Sequence, residues 1–154
     1  MSLEIERKFL VADPAVLLGL HGERLVQAYI AATGRATVRV RIAGEQAWLT
    51  LKGATKGISR RELEYPIPVV DAELCLAELC ADGIVSKTRY RIPHAGHVWE
   101  VDVFDGANVG LVLAEIELSS DDERFERPSW LGEEVSGDPR YFNSQLAERP
   151  FGSW

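Results

Sequence analysis

Eight stretches of the chain alternate with period two, and in most of them the polar half of the alternation is charged. They run Leu3 to Val11, Leu25 to Ala32, Thr37 to Ala43, Gln46 to Lys52, Ile58 to Ile67, Ile84 to Ile92, His97 to Phe104 and Leu111 to Ser119. Alternation of this kind marks strands, whose side chains point to opposite faces in turn. Thr33-Gly34, Gly44-Glu45, Gly53 to Gly57 and Pro93 to Gly96 punctuate the runs. Gaps this short join antiparallel neighbours, because a parallel return needs a dozen residues or more. Eight antiparallel strands in 154 residues predict a mainly β (α+β) fold, with the sheet closed into a barrel or folded as a sandwich.

Helical signals are few. Val70 to Ala81 is the best candidate, with Leu74, Leu76, Ala77 and Leu79 as its apolar surface, Asp71 as N-terminal cap and Asp82-Gly83 as its stop. Pro14 to Leu20 and Tyr141 to Glu148 read as short helical pieces. The length suits about one domain, and no repeat or linker breaks it, so residues 1–154 are expected to form a single unit.

The charged faces are the unusual feature. Strand by strand they read Glu4-Glu6-Lys8, Arg39-Arg41, Lys52, Arg60-Glu62-Glu64, Lys87-Arg89-Arg91, Glu100-Asp102 and Glu115-Glu117. Like charges two residues apart share a face and repel, so stability alone would not select them. They are either solvated outer faces or they converge on a polar lumen. In the second case Val38, Val40, Ile42, Leu49, Leu51, Ile116 and Leu118 must be covered from outside by the helices and neighbouring elements. Carboxylates unaccompanied by His or Cys suit a hard cation such as Mg²⁺ or Mn²⁺. Arginine matches phosphate oxygens in a fork geometry. The two together describe a phosphoryl-transfer site.

Other chemistries find little support. The net charge of −7 argues against a nucleic-acid partner. No apolar run approaches the roughly 18 residues of a membrane span, and the first eight residues are too charged for a signal peptide, so a cytoplasmic protein with no membrane partner is expected. Cys75 and Cys80 lie five apart on the predicted helix, on different faces, and read as small apolar residues. His21, His94 and His97 lie in predicted turns without a nucleophile beside them. Gly53 to Gly57 lacks the Lys-Ser/Thr ending of a P-loop and reads as a loop at a mouth of the lumen or a solvated hairpin.

Leu3-Glu4-Ile5-Glu6-Arg7-Lys8 carries a Glu-x-Glu-x-Lys signature. It is followed by Val38-Arg39-Val40-Arg41, Leu49-Thr50-Leu51-Lys52-Gly53, Lys87-Thr88-Arg89-Tyr90, Glu100-Val101-Asp102-Val103-Phe104 and Leu113-Ala114-Glu115-Ile116-Glu117. Gly132-Glu133-Glu134-Val135, then Asp138, Arg140-Tyr141 and Asn143, complete the series. In this order the motifs resemble the CYTH domain, or triphosphate tunnel metalloenzyme, family over essentially the whole chain, and most of all its short bacterial inorganic triphosphatases. The resemblance implies an eight-stranded antiparallel tunnel barrel that hydrolyses tripolyphosphate, a small-molecule substrate, to pyrophosphate and phosphate with Mg²⁺ or Mn²⁺.

Carried over position by position, the resemblance makes Glu4, Glu6, Glu115 and Glu117 metal ligands, with Glu4 and Glu6 counted as catalytic. Lys8, Arg39, Arg41, Lys52, Lys87 and Arg89 become phosphate ligands, as do Arg60 and Arg91 unless these pair with Glu62 or Glu100. Glu62, Glu64, Glu100 and Asp102 would orient the basic residues, hold a second metal ion or position water. Lys87, crowded by like charges, would have a lowered pKa and could take a proton from the attacking water. Asp138, Tyr141 and Asn143 would close or line one mouth.

Three alternatives remain open at this point. They are an adenylate cyclase of the same family, a thiamine triphosphatase using Trp48, Trp99 or Trp130 as a platform, and a non-enzymatic polyphosphate-binding module. Either a monomer or a homodimer is compatible with the sequence.

Overall fold

The computed structural model describes residues 3–80 and 83–154. Among these are nine strands: β1 (Leu3–Val11), β2 (Glu23–Ala32), β3 (Ala36–Ala43), β4 (Gln46–Gly53), β5 (Ser59–Ile67), β6 (Val85–His94), β7 (His97–Phe104), β8 (Val112–Glu117) and β9 (Leu131–Glu134). All neighbours are antiparallel, in the order β5-β4-β3-β2-β6-β7-β8-β1, and β1 pairs back onto β5. The sheet is therefore a closed barrel of eight strands and not a sandwich.

β1 is the seam. One of its edges runs along β8, with Glu6 opposite Glu117 and Lys8 opposite Glu115. Its other edge pairs with β5 only from Leu3 to Ile5 and then parts from it. The short β9, which the alternation did not predict, covers the edge so exposed at Phe9–Val11. Glycine eases the approach at its second position, because a Cβ on Gly132 would lie 3.0 Å from the Leu10 carbonyl oxygen, tighter than an ordinary contact.

The apolar halves of the strands face outward beneath a second layer. Helix α1 (Val69–Leu74) continues through a wider π-type turn at Cys75–Leu79 and covers Val40 and Ala47, with Ile42 and Leu49 beside them. The helix starts one residue earlier than the sequence predicts. Pro68 is its cap, where a missing N–H is harmless, and Asp71 lies within the first turn without a capping bond. The expected end at Ala81 and stop at Asp82 lie outside the described residues. Both cysteines are free and half-buried.

On the opposite side Phe9, Trp99, Ile116, Leu118 and Trp130 form an aromatic cluster, roofed by Phe125 and by Val16 and Leu17 of a 3-10 turn (Pro14–Leu17). Ring centroids there are 5.5 to 6.1 Å apart at edge-on angles.

The interior changes character along the axis. Toward one end the lumen-facing residues become Tyr29, Phe104 and Leu113. They pack with Val135, Tyr141, Leu146 and Ala147 of the C-terminal segment, which includes helix α2 (Asn143–Glu148). That end of the barrel is plugged by an apolar core, tied down where the Phe151 N–H donates to Asn108 Oδ1 at 2.8 Å.

Candidate active site

The charged halves of the strands converge inside the barrel on a cavity of about 210 Å³. Of the residues expected there, Glu4, Glu6, Lys8, Arg39, Arg41, Lys52, Arg60, Glu62, Glu64, Lys87, Arg89, Glu100, Glu115 and Glu117 all line it. Thr55 and Gly57 also contribute, which puts the Gly53–Gly57 loop at its margin.

Two expected residues are elsewhere. Arg91 is half-exposed in a neighbouring recess with Trp48, Leu25 and Glu23, paired to Glu23 at 3.7 Å and to Glu100 at 3.4 Å. Asp102 does not line the cavity but lies beneath its floor, 1% exposed, with both oxygens occupied. Arg89 forks onto them at 2.8 and 2.9 Å, and Lys87 Nζ forms an ion pair with Oδ2 at 2.7 Å. Asp102 therefore anchors the basic floor and has no lone pairs turned to a cation in the lumen. Trp99 and Trp130 are buried in the outer aromatic cluster and cannot form a platform at a mouth; Trp48 lines the recess.

Alternation alone missed several lining residues: Tyr29, Ser136, Phe142 and Asn143. Tyr29 lies on the β2 face that also carries Gln27, and the signal was the shared period-two register. Of the C-terminal candidates, Asn143 lines the cavity, Tyr141 accepts from Lys8 Nζ through its carbonyl at 3.1 Å, and Asp138 pairs with Arg140 on the surface.

The acidic side gathers where β1, β5 and β8 meet. Lys52 Nζ bridges Glu4 (3.0 Å) and Glu62 (3.2 Å), and Arg60 approaches Glu4 at 3.7 Å. Burial favours protonation of Glu4, yet Lys52 outweighs it and holds that carboxyl low. Glu6 has no such partner. Burial, with Glu115 and Glu4 nearby, pushes its pKa up to about 8. Glu117 is also raised, by burial and by Glu4, Glu100 and Glu62, and Glu62 by burial and Glu4 against the pull of Lys52. Glu115 differs: burial opposes its ionisation, but Lys8 (3.4 Å), Arg89 and Lys87 hold it well below the usual range.

The basic side carries the opposite imbalance. Burial, then Arg39 and Arg89, push Arg41 down to about 10. Burial lowers Lys87 to about 7 despite Asp102. Arg39 donates to Thr50 Oγ1 (3.3 Å) and pairs with Glu64 (3.6 Å), while its buried Nε has no partner among the described residues. A buried donor left unpaired is costly, and an anion in the cavity would satisfy it.

Among the described residues no three carboxylate, imidazole or thiol groups already stand as a closed metal cage. The donor set nevertheless fits Mg²⁺ or Mn²⁺. Such ions are usually held by one or two carboxylates, with waters and substrate phosphates completing the shell. Two carboxylates whose charge the protein leaves uncompensated, Glu6 and Glu117, are what such a site requires.

The CYTH domain model matches residues 2–149. The chain belongs to the CYTH domain family. It is 45% identical over 151 residues to an inorganic triphosphatase of Acetivibrio thermocellus, covering 98% of this chain and 97% of that one. It is 41% identical over 152 residues to one of Nitrosomonas europaea, covering 94% and 96%. A crystal structure of an inorganic triphosphatase superposes with a TM-score of 0.65 at 38% identity, over 93% of this chain and 96% of that one. A Hippeastrum protein classed with adenylyl cyclases and showing a dominant triphosphatase activity shares the fold, with a TM-score of 0.59 at 16% identity over 76% and 80%.

Proposed function

We propose that this CYTH protein hydrolyses inorganic triphosphate to pyrophosphate and orthophosphate, using Mg²⁺ or Mn²⁺. The observation that carries this reading is the double imbalance of the lumen. One side holds Glu6 and Glu117, carboxylates without an ion-paired cation, and the other holds Arg41, a guanidinium without an ion-paired carboxylate, beside Lys87, which burial pushes toward losing its proton despite Asp102. A divalent metal bound to a polyphosphate corrects both at once. The kinship with two inorganic triphosphatases over nearly their full length supports the choice of substrate.

Glu4, Glu6, Glu115 and Glu117 would hold the metal, with Glu6 and Glu117 supplying most of the uncompensated charge. The bound ion would neutralise oxygen charge on the scissile phosphoryl group as it develops. Lys8, Arg39, Arg41, Lys52, Arg60 and Arg89 would bind and align the phosphate oxygens, leaving the terminal phosphorus open to in-line attack by water. Lys87 Nζ is the proton acceptor we favour. It lines the cavity, lies 2.7 Å from Asp102 and donates to Asn143, and its neutral form has a lone pair that can take a proton.

The test is phosphate release from tripolyphosphate, ATP, thiamine triphosphate and pyrophosphate, each with Mg²⁺ and Mn²⁺, with cyclic AMP assayed in parallel. A site that engages phosphates at both ends of its ligand favours one with neither end esterified. We expect kcat/KM for tripolyphosphate to exceed that for ATP by at least about tenfold. Equal turnover of ATP, or cyclic AMP as the main product, would contradict the reading.

A further inference from the structure

Two neutral amides inside the barrel remain without a role. Gln27 on β2 is fully buried, and Asn143 opens α2 on the cavity wall. Arg41 Nε donates to Gln27 Oε1 at 2.7 Å, and Gln27 Nε2 donates to Asn143 Oδ1 at 3.1 Å. Lys87 Nζ donates to the same Asn143 oxygen at 2.8 Å. The chain of bonds thus runs from one basic residue of the lumen to another through two amides.

Its direction is not free. Arginine has donors and no acceptor. Turning Gln27 over would set N–H against N–H at Arg41, at a distance of 2.7 Å. With that end fixed, Gln27 gives its carbonyl to Arg41 and its N–H to Asn143, and Asn143 turns its carbonyl inward, toward Gln27 and Lys87. The amide nitrogen of Asn143 is left over. It has no acceptor among the described residues, and the side chain lines the cavity. A donor so directed, flanked by Lys87 and Arg41, awaits an anionic oxygen.

We propose that Asn143 is a substrate-binding residue whose Nδ2 amide donates to a non-bridging oxygen of the polyphosphate, and that Gln27 is a positioning residue that fixes the direction of that amide. The assignment rests on the triphosphate reading above and adds two residues to it. Asparagine suits the place where aspartate would not. A carboxylate would pair well with Lys87 but would turn a negative oxygen toward the substrate.

The test is equilibrium binding of tripolyphosphate by calorimetry on the whole protein in chelator, together with kcat/KM with Mg²⁺ and thermal unfolding of each variant. Asn143→Asp keeps the acceptor for Lys87 and loses the donor. Binding is expected to weaken roughly 10- to 100-fold, the worth of one hydrogen bond to a charged group. Gln27→Glu is the more telling change. It still accepts from Arg41, which supplies the counter-charge, but offers no N–H to Asn143. Residue 27 then competes for the Asn143 N–H while Lys87 still faces the Asn143 carbonyl, and the amide loses its fixed direction. Binding is expected to fall by a similar factor, although residue 27 is out of reach of any ligand.

With Asn143→Ala already in place, Gln27→Glu should add little, a coupling that a merely structural role would not produce. Asn143→Asp binding within about threefold of wild type, or additive losses for Gln27→Glu and Asn143→Ala, would overturn the proposal. Wild-type protein that neither binds nor hydrolyses tripolyphosphate would sink the triphosphate reading and this assignment with it. Intact wild-type activity with unaffected variants sinks the assignment alone.

Discussion

Where β1, β5 and β8 meet, the lumen holds carboxylates pushed toward protonation; across from them β3 and β6 hold an arginine and a lysine pushed toward losing their protons. Yet each side also contains members that are fully compensated. Glu115 is surrounded by Lys8, Arg89 and Lys87, and Arg89 is locked to Asp102. Both sides therefore combine groups anchored by the protein with groups left for a ligand. The anchored ones keep the barrel folded while empty. The others store an electrostatic cost that a metal–polyphosphate complex relieves, and relief that comes only on binding is what a site can use for catalysis.

The sharpest way to break this division is at an anchor. Asp102→Asn leaves the buried Lys87 without its ion pair and Arg89 with Glu100 alone, and a loss of about 3–5 kcal/mol is expected in denaturant unfolding. A change within about 0.5 kcal/mol would show that Asp102 is no anchor. On the acidic side, Glu6→Gln removes an uncompensated charge and keeps the shape. Tripolyphosphate turnover should drop about a hundredfold or more at limiting Mg²⁺, with no loss of stability without metal at pH 8. Wild-type turnover in that variant would remove Glu6 from the site.

Arg41→Gln is the matching experiment across the lumen. It should weaken tripolyphosphate binding roughly 10- to 100-fold while changing the stability of the ligand-free fold little, because relief of a buried guanidinium beside Arg39 and Arg89 offsets the lost bond to Gln27 Oε1. Marked destabilisation would class Arg41 with the anchors instead.

The smallest effect is one of pH. With its folded pKa near 8 against 4.5 for an ordinary glutamate, Glu6 keeps its proton in the native state where the unfolded chain has lost it. Its contribution to stability therefore falls as pH rises from 4.5 to 8. Lys87, lowered from 10.5 to about 7, acts in the other direction and higher up, its contribution rising between pH 7 and 10.5. In thermal melts without metal, wild type should lose stability relative to Glu6→Gln between pH 5 and pH 8, and Mg²⁺ should narrow the gap. Parallel profiles would mean that Glu6 ionises normally.

Much of this was legible because charge on alternate residues is hard to explain except by a shared interior. Val38-Arg39-Val40-Arg41 declares both its faces at once. Period two, however, gives the face of a residue and not its height. Lys87, Arg89 and Arg91 share a face, but each pair of residues advances about 6.6 Å along the strand, enough to carry Arg91 out of the cavity into the neighbouring recess. Asp102 could not be told from Glu100 as an anchor, since that depends on which cations lie across the barrel. Gln27 gave no signal, because a neutral amide on a strand looks like an ordinary surface residue, and Asn143 was legible only through the family motif, not through alternation. β9 has four residues and little pattern of its own. It exists because β1 leaves β5 early, a fact of closure that no local window contains.

The seam at β1 also orders the assembly of the site in time. Arg39 and Arg41 sit in a hairpin with β4, and Lys87 and Arg89 in a hairpin with β7, so each basic pair is gathered by contacts between near neighbours in sequence. Glu4 and Glu6 belong to a strand whose partners, β5, β8 and β9, all follow much later in the chain. Contacts that close long loops form late, after local ones have lowered their entropic cost. The basic side can thus take shape during synthesis while the segment that begins with Glu4 and Glu6 waits unpaired. Affinity for the metal is then the last property the folding chain acquires, arriving with the stitch that shuts the barrel.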